Sequence, residues 1–191
     1  MFDASRRNSG SGGSFGAANR PAFWIPGPND APLADFLREA SNMEVVYPFL
    51  RGVHGTVALA PGSVLFAGMG GEIADDPDVI RNEEAVVRYA GWEAEYRLKV
   101  VREFDEHQKV LLFSTPPAHK GIHQAGSETV AELINTYVPR VAIVAGEEPS
   151  EVRLGTTLVV CPGRFDQGQY AIVDYHDLSV EAATLTEPTA V

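Results

Sequence analysis

The chain has 191 residues and a formal net charge of −11, from 15 Lys and Arg against 26 Asp and Glu. This length fits one domain, and 45% hydrophobic with 21% charged residues is an ordinary globular composition. The negative balance argues against nucleic acid or an anionic membrane as the main partner, because both need a cationic face, and the single cysteine excludes an internal disulfide framework.

The first 20 residues differ in composition from the rest of the chain. They are rich in Gly, Ser and Asn and offer little to bury, which predicts a flexible tail. They also lack the apolar core of a signal peptide, and no stretch reaches the roughly 18 apolar residues of a membrane span. We therefore expect a cytoplasmic protein with one domain over 21–185 and a C-terminal tail at 186–191.

The apolar pattern that follows predicts strands alternating with helices. A buried strand at 21–25 ends at a Pro-Gly-Pro turn, after which Asp30 is expected to cap a helix at its N-terminus. A long helix is expected over about 83–105. The other predicted elements, in chain order, are a strand at 45–47, a hairpin over 53–67, a polar loop over 72–82, a strand at 110–113, a helix from Ser127, a strand at 141–145 and four short strands between 152 and 184.

This order of elements predicts an α/β fold. Continuous apolar strands that alternate with helices indicate a mixed sheet with helices outside, and the terminal run of strands indicates a second sheet packed on the first. Ligands of open α/β sheets bind beyond the carboxyl ends of the strands. Loops that follow predicted strands, and that would meet in one cleft if those strands are neighbours, are 26–30, 114–117, 144–148 and 161–163.

The sequences of these loops resemble motifs of the calcineurin-like metallophosphoesterase superfamily. The corresponding segments are Gly27-Pro28-Asn29-Asp30 for the family's Gly-Asn-His-Asp/Glu loop, Thr115-Pro116-Pro117 for its His followed by prolines, Gly146-Glu147-Glu148-Pro149 for its Gly-His-x-His, and Pro162-Gly163 for its last turn. The resemblance covers about 22–185. It is close to an uncharacterised bacterial subfamily with the same Pro-Gly-Pro loop, a Gly-Gly-Glu-Ile stretch (70–73 here) and Thr-Pro-Pro.

The resemblance implies an αββα sandwich of two packed mixed sheets with outer helices. It also implies an N-terminally truncated chain, because the family's opening Asp-x-His and Gly-Asp-x-x-Asp motifs should lie upstream of residue 20 and are missing. Members hold two metal ions about 4 Å apart, which activate water and clamp a phosphate. Their ligands are Asp, His and Asn side chains.

Several of those ligand positions carry other residues here. Pro28 has no side-chain donor or acceptor, Asn29 stands at the catalytic His, and Thr115 replaces the next His. Glu147 and Pro149 replace the two His of the last motif. The resemblance therefore implies a phosphoester hydrolase whose dimetal site is lost and which is weakly active or inactive.

The remaining polar residues of these loops are candidates for a site. By role, they are Asn29 and Asp30 for catalysis, Thr115, His119, Lys120 and His123 for binding a phosphorylated ligand, and Glu147 for a metal. The alternative for Asp30 is the helix cap already described, and for 119–123 it is a solvated loop. No cofactor is expected except one hard cation, Mn²⁺ or Mg²⁺, which Glu72 or Glu148 would help to bind.

Two functions from different classes stay open at this point. The first is a phosphoesterase-like hydrolase with a remodelled, single-metal site. The second is a non-catalytic protein that binds a phosphorylated small molecule or a protein partner, a second copy included. Family resemblance favours the hydrolase and the lost ligands favour the binding protein, since a fold by itself does not establish function.

Overall fold

The computed structural model describes residues 20–122 and 125–185, in which strands and helices alternate. The helices are α1 (Leu33–Val46), α2 (Gly91–Leu98), which continues as a 3₁₀ segment (Lys99–Phe104), and α3 (Glu128–Tyr137). The strands are β1 (Ala22–Trp24), β2 (Leu50–Gly52), β3 (Val57–Ala60), β4 (Val64–Met69), β5 (Glu72–Ala74), β6 (Arg88–Ala90), β7 (Gln108–Phe113), β8 (Val141–Val144), β9 (Ser150–Leu154), β10 (Thr157–Cys161), β11 (Gln169–Val173) and β12 (Val180–Thr184). Within these ranges, every helix is too short or too polar to cross a membrane.

A six-stranded mixed sheet organises the fold, with strand order β3-β4-β7-β8-β10-β9. The four central strands run parallel, and the outer strands β3 and β9 pair antiparallel to their neighbours. Continuous apolar runs form the central strands because a parallel sheet is covered on both faces. The predicted mixed α/β architecture is therefore confirmed.

Helices cover one face of this sheet. Leu111 and Phe113 of β7 pack there with side chains of α2 and α3, including Leu98 and Ile134, and none of these side chains is more than 1% exposed. Helix α3 begins where the sequence predicts, because the Ser127 hydroxyl accepts a hydrogen bond from the Val130 amide. The main core thus lies between the sheet and its helices.

Pairs of short strands cover the opposite face. The antiparallel pair β11–β12 packs over Leu158 and Val160 of β10. The parallel pair β1–β2 lies over β4, where Phe23 stacks on Phe66 with ring centroids 4.0 Å apart. Each pair forms its own two-stranded sheet. The second layer of the expected sandwich therefore consists of separate pieces in the described part of the chain.

Two predicted elements differ from the structure. The strand expected at 45–47 is wrong, because α1 continues to Val46 and leaves Val45 84% exposed on its surface. The long helix expected over 83–105 is also wrong at its start. Residues 83–87 are not helical, and Arg88–Ala90 form β6, which pairs with β5 inside the segment predicted as a polar loop. This pairing joins residues 16 positions apart, which a local helical pattern does not reveal.

Candidate functional site

The loops that follow the parallel strands lie at one edge of the sheet. The loop after β1 joins them, because the Pro26 carbonyl accepts hydrogen bonds from the Gly71 amide at 3.0 Å and from the Ser114 hydroxyl at 2.8 Å. Three chain segments that are far apart in sequence therefore meet at one proline carbonyl. Such an edge is where α/β sheets bind their ligands.

A cleft of about 300 Å³ opens at this edge. It is lined by residues 23–27, 112–114, 143–145 and 162–163. Most of these residues are apolar, and the hydroxyl of Ser114 already donates to Pro26. The cleft is therefore an apolar slot with backbone groups at its rim, and its volume suits a small molecule.

The Gly70-Gly71 turn allows these loops to approach closely. A Cβ atom on Gly70 would lie 2.2 Å from the Pro26 carbonyl oxygen. Gly71 has a φ of +80°, and a Cβ atom there would lie 2.7 Å from Val87. Only glycine fits both positions without displacing the loop after β1. The Gly-Gly pair is thus a structural requirement of the cleft rather than a phosphate-binding loop.

Asn29 and Asp30 lie in the turn that follows the cleft-lining residues 26 and 27. Asn29 is exposed. The Asp30 carboxylate accepts a hydrogen bond from the Gly27 amide at 2.6 Å and closes this turn. The prediction that Asp30 caps α1 is wrong, since Pro32 occupies the N-cap position and no side chain caps the helix.

Thr115 connects the loop after β7 to β5. Its hydroxyl accepts a hydrogen bond from the Ile73 amide at 2.9 Å and donates one to the Gly71 carbonyl at 3.2 Å. Both capacities of the hydroxyl are therefore used by the backbone. This contact fixes the Gly-Gly turn beside the cleft.

The loop that carries the predicted phosphate-binding residues packs against an edge strand. The ring Nδ1 of His119 accepts a hydrogen bond from the Gly121 amide at 3.1 Å, and Lys120 is exposed. Gly121 lies so close to Val152 of β9 that a Cβ atom would approach it to 2.4 Å. His123 lies outside the described residues. Neither His119 nor Lys120 is among the residues that line the cleft.

Glu147 forms an ion pair and lies two positions after Ala145, which lines the cleft. Its carboxylate lies 3.1 Å from the guanidinium of Arg164, which also contacts Asp166 at 2.6 Å. Hydrogen bonds to Asp166 and Glu147 raise the pKa of Arg164 above its ordinary value. Glu72 is held in the same way by Arg88, at 2.7 Å. Two carboxylates proposed as cation ligands thus face arginines.

Sequence reasoning also missed a polar network behind the Gly-Gly turn. His54 Nδ1 accepts a hydrogen bond from the Gly70 amide at 3.0 Å, so the ring proton lies on Nε2 and is donated to the Tyr89 hydroxyl at 3.1 Å. Tyr89 in turn donates to Glu83 at 2.8 Å. Burial, with the nearby charge of Arg97, lowers the pKa of His54 to about 4. The imidazole therefore stays neutral and supports the turn as an acceptor.

Arg97 connects the carboxylates of this network. Arg97 lies 2.8 Å from Glu93 and 3.8 Å from Glu83, and its guanidinium stands 5.0 Å from the centre of the Tyr89 ring. Burial first, and then the hydrogen bond to Glu83, raises the pKa of Tyr89 above its ordinary value. No sequence motif marks these residues, because they come from separate segments.

Comparison with known proteins agrees with this architecture. Residues 13–185 match the family model described as metallophosphoesterase, calcineurin superfamily. The chain belongs to this superfamily. The crystal structure of TT1561 from Thermus thermophilus is 42% identical and superposes with a TM-score of 0.81 over 86% of this chain and 72% of its own. A second crystal structure is 33% identical and superposes with a TM-score of 0.79 over 86% of this chain and 65% of its own. No curated protein matches.

Metallophosphoesterases usually bind divalent metals. The described residues of this chain do not fit a two-metal centre. No group of three or more His, Cys, Asp or Glu side chains converges within residues 20–122 and 125–185. The loop residues expected at the family's site are Pro28, Asn29 and Thr115, none of which is a carboxylate, imidazole or thiolate, and Glu147 is paired with a guanidinium. A guanidinium competes with a metal ion for the same carboxylate oxygens.

Arg164 is a cationic residue next to the cleft-lining turn 162–163 that sequence reasoning overlooked. It follows Pro162-Gly163, a turn that the resemblance had already singled out. Its position one residue after that turn was the available signal. The charge stands beside the cleft because the turn ends β10, a central parallel strand.

Proposed function

We propose that this metallophosphoesterase-superfamily chain is a degenerate phosphoester hydrolase, weakly active or inactive on its own. The observation that carries the proposal is the composition of the carboxyl-edge cleft, which is apolar, while Glu147, in the loop that follows the cleft-lining Ala145, is paired with Arg164. Phosphoester hydrolysis needs an activated water and positive charge on the phosphate oxygens. The described residues supply one arginine beside the cleft and no base within it.

A single hard cation, Mn²⁺ or Mg²⁺, is part of this proposal only at Glu147. Such an ion would have to displace the guanidinium that lies 3.1 Å from the carboxylate. Binding would therefore be weak and would compete with Arg164. A cytoplasmic location, supported by the lone cysteine, belongs to the same proposal.

The test is metal content together with turnover. The purified full-length chain is analysed for bound metal and then assayed with bis-(p-nitrophenyl) phosphate and added Mn²⁺. We expect less than one tightly bound equivalent of metal and turnover close to the uncatalysed rate. Two tightly bound equivalents, with turnover abolished by Glu147→Ala, would show a rebuilt active site and contradict the proposal.

A second candidate function is the binding of a phosphorylated ligand without hydrolysis. Arg164 favours it, because this exposed residue follows Gly163, which lines the cleft, and phosphate oxygens can replace the carboxylates of Glu147 and Asp166 as bidentate acceptors. Calorimetry with p-nitrophenyl phosphate would detect such binding. Arg164→Ala should abolish it, whereas Arg153→Ala on the exposed surface of β9 should leave it unchanged.

A further inference from the structure

An open groove of about 670 Å³ lies between helix α2 and the loop that connects β5 to β6. The helix contributes Trp92 and Tyr96, which are one turn apart and therefore neighbours on its surface. The loop contributes Val79 and Ile80 to the opposite wall. None of these four residues lines the cleft at the carboxyl edge, so the groove is a separate feature of the surface.

Ion pairs hold the loop against the helix beneath the groove. Arg81 of the loop lies 3.4 Å from the carboxylate of the buried Glu93, and Arg97 contacts the same carboxylate at 2.8 Å. The end of the loop is fixed by backbone hydrogen bonds between Asn82 and Arg88, at 2.8 and 3.0 Å. The groove is therefore already formed in the single chain, and a partner would not have to order it.

Large apolar side chains around the groove are unusually exposed. Ile80 is 86% exposed, Tyr96 62% and Trp92 61%. Together they present roughly 450 Å² of side-chain surface. Apolar patches of this size often mark contact sites, and tryptophan, tyrosine and arginine contribute most to binding at protein interfaces. The Lys99 ammonium stands 4.1 Å from the centre of the Tyr96 ring, which restrains this ring before any partner binds.

The charges around the groove indicate which partner fits. The segments 77–81 and 92–99 carry three acidic and three basic side chains. By sign, these are Asp78, Glu93 and Glu95 against Arg81, Arg97 and Lys99. Their sum is zero, whereas the whole chain has a net charge of −11. Two copies of so acidic a chain repel each other, so a balanced patch is where they can approach most readily.

A patch that presents both protruding side chains and a hollow can pair with itself. We propose that a second copy of this chain docks on the groove about a twofold axis, with Trp92 and Ile80 of each copy in the groove of the other. Every contact then occurs twice, and the half-exposed Arg81 of each copy can pair with an exposed carboxylate of the other, such as Glu95.

The size of the patch sets the expected strength of this dimer. Two such patches would bury roughly 1,000 Å² in total, which is typical of weak and reversible association. We therefore expect a dimer that dissociates on dilution in the micromolar range. The proposal does not depend on the proposed function.

Matched charge insertions test this interface. Light scattering measures the mass of the full-length chain over a dilution series, which should pass from dimer to monomer. Ile80→Glu places a carboxylate of each copy in the contact and should weaken association about tenfold or more. Val45→Glu makes the corresponding change at an equally exposed position on α1, 84% against 86%, and should leave association unchanged. Circular dichroism verifies that both variants are folded.

Hydrogen exchange of the unchanged chain gives a second measurement that needs no variant. Amides of 77–82 and 92–98 should exchange more slowly in a concentrated sample than in a dilute one, whereas amides of 42–46 should not change. A monomer at every concentration would overturn the proposal. Equal weakening of the dimer by both variants, or exchange at 77–82 and 92–98 that does not depend on concentration, would place the contact elsewhere and overturn it as well.

Discussion

The two faces of the six-stranded sheet are covered to different degrees toward the carboxyl ends of the strands. On the helix-covered face, Leu111 and Phe113 are fully buried. On the strand-covered face, Val110 and Val141 are also buried, but Leu112 and Ile143, nearer the carboxyl ends of the strands, are only partly buried. The helices cover their face with a continuous layer of apolar side chains. On the opposite face, the short pairs β1–β2 and β11–β12 pack over β4 and β10 respectively. The cleft opens at this less covered end, and side chains that line it should contribute less to stability than those under the helices.

Adjacent leucines of β7 provide the sharpest test of this comparison. Leu111→Ala removes a fully buried side chain and should cost about 3 kcal/mol of unfolding free energy, because it leaves a cavity under the helices. Leu112→Ala, which faces the cleft, should cost about half as much or less. Urea unfolding of both variants measures the difference. Equal losses would mean that the two faces are equally packed.

Acid should weaken the helix-covered side through His54. The folded pKa of about 4 lies below the ordinary value of 6.5, so the unfolded chain binds more protons between these values and stability falls as the pH drops. From the pKa difference of this one group we expect the free energy of unfolding to fall by about 2 kcal/mol between pH 7 and pH 5. Unfolding measured at both pH values should show that His54→Gln, which cannot titrate, has a smaller pH dependence. An unchanged dependence would contradict the prediction.

A smaller effect is expected from the contact that holds the start of α3. Asp75 accepts hydrogen bonds from the Ser127 hydroxyl and from the amides of Glu128 and Thr129, at 2.5, 2.8 and 3.0 Å. Desolvation acts to raise the pKa of Asp75, but these hydrogen bonds outweigh it and lower the pKa below its usual value.

Asp75→Asn replaces the carboxylate at the helix N-terminus and should cost about 1 kcal/mol, or roughly 2–4 °C in melting temperature. Asp78→Asn, in the same exposed loop, is the matched control and should change the melting temperature little. If both variants melt alike, α3 does not depend on this carboxylate.

The sequence predicted much of the site's location and little of its bonding. The loops after the parallel strands do converge, and the superfamily suggested by their motifs is confirmed by the match over 13–185. The partners of individual side chains were not predictable. Thr115 bonds the Ile73 amide 42 positions away, and Glu147 pairs with an arginine 17 positions away. Such contacts depend on how segments meet, which no local pattern encodes.

The sequence by itself determined the elements whose own residues form a clear pattern. The runs at 110–113 and 141–144 are apolar throughout and form central strands, and Ser127 caps the helix that follows it. Tertiary structure decided whether Arg88–Ala90 becomes strand or helix and whether His54 is buried and neutral. Both outcomes depend on a distant partner, β5 for the strand and Tyr89 for the histidine, and the folded chain alone brings those partners together.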